Sequence, residues 1–376
     1  MIYLDHNATT PIASEVREAM LPYFTDEWGN PSSSYRFGSR LKTVIETARE
    51  QVAELIGASS GEVLFTSCAT ESNNAAIRAA LKSQPQKRHI ITSSVEHSSV
   101  LACCRTLETE GVHVTYLPVD RDGLLNLADL EAELTNDTAI VSLMWANNET
   151  GVLFPVEEIA RCCKTHGVRF HCDAVQAVGK IPIDVRKFPV DYLSLTGHKI
   201  HAAKGVGALF IRRKSPFFAF LEGGHQERGL RGGTENVPLI VGLGIAAALV
   251  RKNLPDYDAT TRQLRNALED EILRSIPSAE VNGHKTHRLG NTTNITFRSI
   301  ESEALLMLLD QEGICASSGS ACLADSDEPS HVVKAMKPDS TASREMIRFS
   351  IGVGNTMEEM KTAVRSLQKS VAALRE

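Results

Sequence analysis

The sequence predicts an α/β protein with a mostly parallel central sheet, helices on both faces of that sheet, and a smaller α+β domain toward the C-terminus. Between about residues 60 and 215, short apolar runs alternate with amphipathic helical stretches, which is the pattern of a parallel sheet covered by helices. Beyond about residue 255, strands and helices follow a different order. A chain of 376 residues is long enough for one large domain and one small one.

The strands of the large sheet are predicted from short runs rich in β-branched and other apolar residues. They are Glu62–Thr66, His89–Thr92, His113–Leu117, Ala139–Trp145, Arg169–Cys172, Tyr192–Leu195 and Ala208–Ile211. Between them, apolar residues return with a helical period at Ser72–Lys82 and Val156–His166. This alternation of strand and helix is typical of parallel crossovers.

The domain boundary is placed where the regular alternation of predicted strands and helices ends. Residues 235–252 and 256–275 read as two long helices, so we predict a large domain of residues 14–255 and a small domain of residues 1–13 and 256–376. The small domain also contains one long irregular segment, from Ala316 to about Ser330. Loops of that length in compact domains are usually functional. Its regular elements are predicted at Thr293–Phe297, Ser302–Gln311, Met346–Ile351 and Met357–Leu374.

Composition and charge exclude several classes of protein. Apolar residues make up 42% and charged residues 23%, the balance of a soluble globular protein. A net charge of -6 argues against nucleic acid or an anionic membrane as the main partner, because either calls for a basic surface. No apolar run looks long enough to span a bilayer and no basic-then-apolar leader opens the sequence, so we expect a cytoplasmic protein.

The eight cysteines are expected to be reduced thiols. Most are interpreted as small buried hydrophobes, because they lie in predicted helices or strands or at a strand end. No Cys-x-x-Cys pair occurs, so neither a zinc site nor a thioredoxin-like motif is predicted. The cysteines given this structural interpretation are Cys68, Cys103, Cys104, Cys162, Cys163, Cys172 and Cys315.

Cys322 is different because it lies in the polar segment that begins at Ala316. A thiol on such a loop can be exposed, partly ionised and nucleophilic, whereas an exposed cysteine without a task is a liability.

Arg348 alternates with apolar neighbours along a predicted strand. Its planar guanidinium group suits the carboxylate of an amino acid, and a buried structural ion pair is the alternative.

The turn after the first predicted strand is a candidate phosphate site. Ser67–Asn74 leaves the strand and begins a helix, which brings free backbone N–H groups, the positive end of the helix dipole and hydroxyl groups together. An ordinary helix cap is the alternative for this stretch taken alone.

Two further strand ends carry the groups that pyridoxal phosphate requires. Asp173 follows a buried strand, where open α/β sheets place ligands, and an acid there can keep the pyridine nitrogen protonated. Lys199 follows the apolar run Tyr192–Leu195, and a desolvated lysine amine can condense with an aldehyde and carry a substrate proton. A cap for Asp173 and a solvated surface charge for Lys199 are the alternatives, and the pairing of the two favours the cofactor.

Several blocks of residues, in order from end to end, resemble the cysteine desulfurases of the NifS-like class, within the fold-type I, aminotransferase-like pyridoxal-phosphate enzymes. Several such blocks together are far more specific than any one. The blocks are Tyr3–Thr10, Gly29–Ser33, Thr70–Asn73, Val95–His97, Asn147–Gly151, Asp173–Gln176, Gly197–Lys199, Gln226–Gly229, Gly233–Asn236 and Ser317–Cys322.

The resemblance implies a role for each matching site residue. His97 would stack on the cofactor ring and carry protons, Asp173 would pair with the ring nitrogen, and Gln176 would bond the phenolic oxygen. Asn148 and Arg348 would hold the carboxylate of the substrate cysteine, with Asn148 also beside the cofactor. The phosphate would be held by Ala69, Thr70, Thr196 and His198, joined by Thr234 from the other subunit of a homodimer.

The resemblance also implies the reaction. Lys199, which would carry the cofactor, takes the Cα proton of L-cysteine, and the Cys322 thiolate attacks the substrate sulfur, leaving a persulfide on Cys322 and releasing L-alanine. The sulfur acceptor is expected to be an iron–sulfur scaffold protein that serves nitrogenase maturation. No intrinsic metal site is predicted, although Cys322 could share a cluster bound to the scaffold.

Some positions depart from the housekeeping members of the class. Histidines at positions 201 and 225 resemble the nitrogenase-associated type. Further departures are Tyr35, Ala203, Leu323–Asp327 and Val353–Asn355. A selenocysteine lyase or an aminotransferase of the same fold, with Cys322 incidental, is the nearest alternative. A thiol-rich iron–sulfur carrier is suggested only by the number of cysteines.

Overall fold

The computed structural model describes residues 1–319 and 329–376. The strands are β1 (Ile2–Tyr3), β2 (Val63–Thr66), β3 (His89–Ser93), β4 (His113–Leu117), β5 (Thr138–Met144), β6 (Arg169–Asp173), β7 (Tyr192–Thr196), β8 (Gly207–Ile211), β9 (Ala279–Asn282), β10 (Thr292–Phe297), β11 (Ile314–Cys315) and β12 (Met346–Ser350). The helices are α1 (Ser14–Met20), α2 (Pro22–Thr25), α3 (Arg36–Ser39), α4 (Leu41–Ile56), α5 (Ala69–Lys82), α6 (Ser98–Thr109), α7 (Leu127–Glu133), α8 (Val156–Thr165), α9 (Val237–Ser275), α10 (Ser302–Gln311), α11 (His331–Met336) and α12 (Met357–Ala373).

The large sheet confirms the predicted fold class. Its strand order is β2-β8-β7-β6-β5-β3-β4. β8 runs antiparallel to both of its neighbours, and the other adjacent pairs are parallel. The predicted strands agree with the observed ones to within one residue at each end. The pattern could be read locally because parallel strands are buried on both faces and are therefore nearly continuous apolar runs.

Alternate residues of each strand point to opposite faces, and each face has its own core. On β2, Val63 and Phe65 pack in the larger core, and Leu64 between them packs in the core on the other side. The larger core is covered by α4, α8 and the first half of α9. The other is covered by α5 and α6. Helices therefore lie on both faces of the sheet, as predicted.

The prediction of two helices at 235–252 and 256–275 is wrong, because α9 is one helix of 39 residues. Pro255 lies inside it. A proline removes one backbone hydrogen bond and favours a break, but packing can outweigh that cost. Here α9 packs along α4 and α1 in its first part and against α12 later. Tertiary contact therefore continues a helix that the local sequence would end.

By length and composition, α9 is also the one helix in the described residues that could cross a membrane. Its apolar face explains this composition without a membrane. Val237, Ile240 and Leu243 lie in the larger core, and Leu264 and Leu268 lie in the core of the C-terminal region. The helix therefore serves as a shared core element of the two regions.

The C-terminal region builds on a three-stranded antiparallel sheet, β12-β10-β9. Its core is formed with α10, α12 and the second half of α9, and it includes Leu4 from the start of the chain. β1 pairs in parallel with β11, so the first residues pack with the last third of the sequence. The division into domains 14–255 and 1–13 with 256–376 stays a prediction, and its boundary falls inside α9.

Candidate active site

A cavity at the carboxyl ends of the parallel strands collects most of the predicted site residues. It lies where open α/β sheets bind ligands. Its lining includes Ala69, Thr70, His97, Asn148, Asp173, Gln176, Thr196, His198, Lys199 and Arg348. These residues come from six separate parts of the chain, and the sheet brings them together because parallel strands end at one edge.

One corner of the cavity suits a phosphate. Cys68 is the N-cap of α5 and makes no side-chain cap hydrogen bond, so the first turn of the helix presents its N–H groups toward the cavity. Thr196 and His198, at and just beyond the end of β7, line the same cavity. Gly207 lets the chains approach closely, since a Cβ there would lie 2.8 Å from the Leu195 oxygen and 3.0 Å from the Cys68 carbonyl carbon.

His198 is held neutral at ordinary pH. Burial, with Lys199 and Lys204 nearby, lowers its pKa to about 4. Its Nδ1 lies 3.3 Å from the Thr9 hydroxyl oxygen. A neutral imidazole can still donate one hydrogen bond to a phosphate oxygen.

Asp173 ends β6 and is only 5% exposed. Its Oδ2 accepts a hydrogen bond of 2.7 Å from Asn73, and its Oδ1 accepts one of 3.0 Å from the Val175 N–H. No cationic side chain is among the ion-pair partners of Asp173 in the described residues. The carboxylate is therefore oriented by neutral donors, which leaves its charge to act on a protonated ring nitrogen.

His97 is connected to Asp173 through two side chains. The Asn73 amide that donates to Asp173 also donates to the Ser99 hydroxyl at 2.9 Å, and that hydroxyl lies 2.9 Å from His97 Nδ1. Nδ1 also accepts from the Ser99 N–H at 3.2 Å. These bonds make Nδ1 an acceptor, so the proton of a neutral ring is assigned to Nε2.

Lys199 lies just beyond β7, in a single helical turn at Gly197–Lys199. Its Nζ donates hydrogen bonds of 2.6 Å to the carbonyl oxygens of Asn7 and Ala8. The strand end thus aims the amine into the cavity, and the N-terminal segment fixes it there.

Asn7 connects the N-terminal segment to both sides of the site, and the sequence assigned it no role. Its side-chain amide donates to Asn148 O at 3.2 Å, and its carbonyl oxygen accepts from Gln176 at 3.0 Å. Its Oδ1 accepts from the buried Lys180 at 2.8 Å. The motif Tyr3–Thr10 was the only signal that could have pointed to Asn7. Lys180 lay in a turn with no signal of its own.

The sequence left open whether Arg348 makes a buried ion pair or is available to bind a carboxylate. In the structure it makes an ion pair and also keeps one N–H group without a partner in the described residues. Its Nη2 lies 2.5 Å from Asp5 Oδ1, and its Nη1 donates to Asn148 O at 3.1 Å. Arg348 Nε and Asn148 Oδ1 are buried without a hydrogen-bond partner in the described residues. Buried polar groups are rarely unpaired, so these two atoms mark the place of an absent polar ligand.

Two predicted site residues lie elsewhere. Thr234 is exposed and lines a separate pocket with Ser67 and Arg231, outside the cavity described above. Cys322 lies outside the described residues. The described chain leading to it is joined to the site, since Ser317 and Arg348 exchange backbone hydrogen bonds of 3.3 and 2.7 Å. The chain beyond it is joined as well, since the Ser330 hydroxyl donates to Glu149 at 2.5 Å.

The structural interpretation of the other cysteines holds for most of them. All seven in the described residues are free thiols, and burial raises the pKa values of Cys103, Cys104, Cys163 and Cys172. It is wrong for Cys68, which is half-buried and lines the cavity, because the helix start that suits a phosphate cannot be covered. Cys162 and Cys315 are also only partly buried, and Cys162 lies on the side of α8 that faces solvent.

The donor set therefore fits pyridoxal phosphate. A helix N-terminus suits the phosphate, a lysine suits the aldehyde, and an oriented aspartate suits the ring nitrogen. The unpaired N–H of Arg348 suits a substrate carboxylate, and the unpaired Asn148 Oδ1 suits a hydrogen-bond donor of the ligand. A cluster of three or more His, Cys, Asp or Glu side chains suited to a metal ion is absent from residues 1–319 and 329–376.

The fold and this cavity define a pyridoxal-phosphate enzyme of fold-type I, and the chain belongs to the aminotransferase class-V family, whose profile matches residues 2–362. Within that family it is similar to cysteine desulfurases along its whole length. A cysteine desulfurase of Trichormus azollae is 54% identical, covering 100% of this chain and 94% of the relative. Cysteine desulfurase NifS of Azotobacter vinelandii is 50% identical, covering 100% and 93%.

A solved structure described as a NifS-like protein agrees in fold. It has a TM-score of 0.93 and 36% identity, and the match covers 99% of this chain and 100% of that one. The cofactor of the chain is accordingly pyridoxal phosphate.

Proposed function

We propose that the chain is a cysteine desulfurase that converts L-cysteine to L-alanine and keeps the sulfur as a persulfide on Cys322. One observation carries this: the cavity that suits the cofactor also holds buried, unpaired atoms of Arg348 and Asn148, and Arg348 is hydrogen-bonded to the chain that leads to Cys322. Identity of 54% with a cysteine desulfurase over the full chain supports the same reaction.

Pyridoxal phosphate would be held by the residues of the cavity. Asp173 would pair with its ring nitrogen, Gln176 with its phenolic oxygen, and His97 would stack on its ring. The phosphate would lie against Ala69, Thr70, Thr196 and His198. When bound, the cofactor supplies a conjugated ring that accepts the electron pair released at the substrate Cα.

The substrate would be oriented by its carboxylate. Arg348 offers a guanidinium N–H with no partner in the described residues. Asn148 would donate to the same carboxylate through its side-chain N–H, because its Oδ1 can only accept. A planar guanidinium group suits a carboxylate, because two N–H groups can face its two oxygens. This contact would place the Cα–H bond near Lys199.

The proton and sulfur steps balance without an added oxidant or reductant. Lys199 Nζ takes the Cα proton, and the Cys322 thiolate attacks the substrate sulfur. The Cβ–S bond breaks while an S–S bond forms, and Cβ and Cα are then protonated. One L-cysteine and one thiol thus give one L-alanine and one persulfide. His97 would carry a proton to the carbon from which the sulfur departs, with Nε2 as its donor.

Mass spectrometry of the protein after L-cysteine treatment tests this proposal. We expect an added sulfur atom on the Cys322 peptide and alanine in solution. Cys322→Ala should lose both sulfide release and persulfide while it keeps the cofactor colour. Cys162→Ala is the matched control, because Cys162 is a partly exposed thiol that does not line the cavity and should leave persulfide formation intact. Unchanged desulfuration by Cys322→Ala would remove Cys322 from the mechanism.

The same experiment separates the alternatives. A selenocysteine lyase or an aminotransferase of this fold would not need Cys322, so Cys322→Ala would keep its full activity. A thiol-rich iron–sulfur carrier would keep its visible absorbance in Lys199→Ala. We expect that variant to lose the absorbance, because Lys199 binds the cofactor.

The proposed enzyme is a cytoplasmic homodimer in which Thr234 completes the phosphate site of the other subunit. Support comes from the exposure of Thr234 outside its own cavity and from the apolar side chains of Phe24, Trp28 and Tyr35, which are 58, 70 and 59% exposed. Such exposed apolar side chains are typical of interfaces.

Hybrid dimers test the contribution of Thr234. A Thr234→Val subunit paired with a Lys199→Ala subunit has one site with an intact lysine and an intact threonine only if Thr234 acts across the interface. We therefore expect the hybrid to show the activity of one wild-type site. Activity no higher than that of the Thr234→Val homodimer would place the threonine in its own subunit.

The sulfur acceptor is proposed to be an iron–sulfur scaffold protein that serves nitrogenase maturation. The similarity to cysteine desulfurase NifS and the histidines at positions 201 and 225 support this choice. The test is transfer of labelled sulfur from the persulfide to a nitrogenase-type scaffold and to a housekeeping scaffold. Faster transfer to the housekeeping scaffold would contradict the proposal.

A further inference from the structure

Lys180 is a buried lysine in the turn that follows β6, and the reaction above does not use it. Only 5% of the residue is exposed. Its Nζ donates to Gln176 Oε1 at 2.6 Å and to Asn7 Oδ1 at 2.8 Å. No carboxylate pairs with it among the ion pairs of the described residues. Buried ammonium groups without a counter-ion are costly, so such a residue calls for a function.

The two bonds of Lys180 hold the residues that surround Lys199. Asn7 accepts from Lys180 through its side chain and from Lys199 through its backbone oxygen, at 2.6 Å. Gln176 accepts from Lys180 through Oε1, which leaves its Nε2 as the donor on the cavity side. Lys180 thereby fixes which way the Gln176 amide faces, and it shares Asn7 with the Lys199 amine.

The surroundings of Lys180 are predominantly basic. Burial, followed by the charges of Lys199 and Arg348, lowers the pKa of Lys180 well below its usual value. Charge interactions are reciprocal, so a proton on Lys180 disfavours a proton on Lys199 by the same free energy. Lys180 also lowers the pKa values of His6 and His201, both of which are chiefly lowered by burial.

The acidic groups in this region do not cancel that charge. Asp5 is paired with Arg348, at 2.5 Å. Asp173 faces the other side of the cavity, where Asn73 binds it. A second cavity, distinct from the active-site cavity, is lined by Lys180 and Lys199 together with Glu15 and Asp256. Neither of these two carboxylates is bonded to Lys180 in the described residues.

We propose that Lys180 is a positioning residue for Lys199: it holds Asn7 and Gln176 around the amine, and its positive charge favours the unprotonated form of Lys199. That form condenses with an aldehyde and accepts the substrate proton, and a neighbouring cation is one of the established ways to obtain it. Two side-chain amide oxygens accept from Lys180, so its Nζ is held by neutral acceptors that stabilise a positive charge. The inference rests on the proposed assignment of Lys199 as the cofactor lysine.

The pH dependence of the visible absorbance of the cofactor-loaded protein tests this role, because the absorbance reports protonation of the Lys199 nitrogen. Lys180→Gln keeps a hydrogen-bond donor and removes the charge, so we expect the midpoint to rise by about one unit or more. Lys180→Arg keeps the charge and should restore a midpoint near that of the wild type. Lys204→Gln is the matched control, since it removes an exposed charge near the site and should shift the midpoint much less.

Two results would overturn the inference. One is a midpoint in Lys180→Gln equal to that of the wild type. The other is an uncharged Lys180 at pH 7.5 in the unaltered protein, measured by NMR of lysine labelled with ¹³C and ¹⁵N, and this measurement needs no variant to fold.

The assignment of Lys199 is checked separately. Borohydride reduction of the loaded protein and peptide mapping should place the cofactor on Lys199. Cofactor found on another lysine would overturn the assignment together with this inference. Cofactor on Lys199 with an unshifted midpoint would overturn only the role of Lys180.

Discussion

Replacing Asp173 by Asn tests the charge of this residue with little change in shape. The carboxylate accepts one hydrogen bond from Asn73 Nδ2, and the new amide nitrogen would face that donor if it took the place of Oδ2. Asn73 Oδ1 is buried without a partner in the described residues, so rotation of the Asn73 amide can supply an acceptor. We therefore expect the folding free energy to change by no more than about 1 kcal/mol.

Cofactor binding should weaken because a charged hydrogen bond becomes a neutral one. Hydrogen bonds to charged groups contribute about 1.5–3 kcal/mol and neutral ones about 0.5–1.5 kcal/mol. The difference of about 1–2 kcal/mol corresponds to about 5- to 30-fold weaker binding. Turnover should fall further than affinity, because the electron-accepting capacity of the ring depends on a protonated nitrogen.

The assay is titration of the cofactor-free protein with pyridoxal phosphate, followed by absorbance and fluorescence, with turnover measured at saturating cofactor. Chemical denaturation of the cofactor-free protein provides the control for folding. Wild-type affinity and turnover in Asp173→Asn would refute the assigned role. A loss of several kcal/mol in stability would refute the argument that Asn73 can adapt.

Three further variants probe stability and substrate binding. Glu227→Ala should lower the free energy of unfolding, measured by urea titration, by about 3–5 kcal/mol. It leaves the buried Arg49 without the carboxylate that binds it through two hydrogen bonds of 2.7 Å. The control Glu46→Ala removes the exposed partner of Arg49 and should lower the free energy of unfolding by less than about 1 kcal/mol. Arg348→Lys should raise KM for L-cysteine at least about tenfold while the cofactor absorbance is kept, since an ammonium cannot form the paired contacts. His171→Asn should flatten the loss of stability between pH 7.5 and 5.

The sign of the last effect follows from burial. His171 lies wholly inside the protein, and desolvation lowers its pKa to about 3. Between about pH 6.5 and that value, the unfolded chain binds a proton that the folded chain excludes. The stabilisation is therefore complete above about pH 6.5 and declines as the pH falls, by about 2 kcal/mol at pH 5. Equal pH slopes for wild type and His171→Asn in urea unfolding would contradict it.

The limits of sequence-based prediction are clearest in α9 and at Cys68. The helical period on either side of Pro255 is local, and the sequence alone favours a break at the proline. Contacts with α4, α1 and α12 keep the helix continuous, and these partners lie far away in the sequence. The exposure of Cys68 could not be predicted from its neighbours in the chain either, because it depends on the start of α5 facing the cavity.

By itself, the sequence determined the strands of the large sheet and the strand-end positions of Asp173 and Lys199. Strands that are buried on both faces are nearly continuous apolar runs, and such runs can be recognised from neighbouring residues alone. It also contained the blocks that match the cysteine desulfurases. Only the tertiary structure decided what surrounds Lys199. Asn7 lies 173 positions from Lys180 and 192 from Lys199, and hydrogen bonds across such separations leave no periodic pattern. They exist because the N-terminal segment passes the carboxyl edge of the sheet, where the two lysines meet.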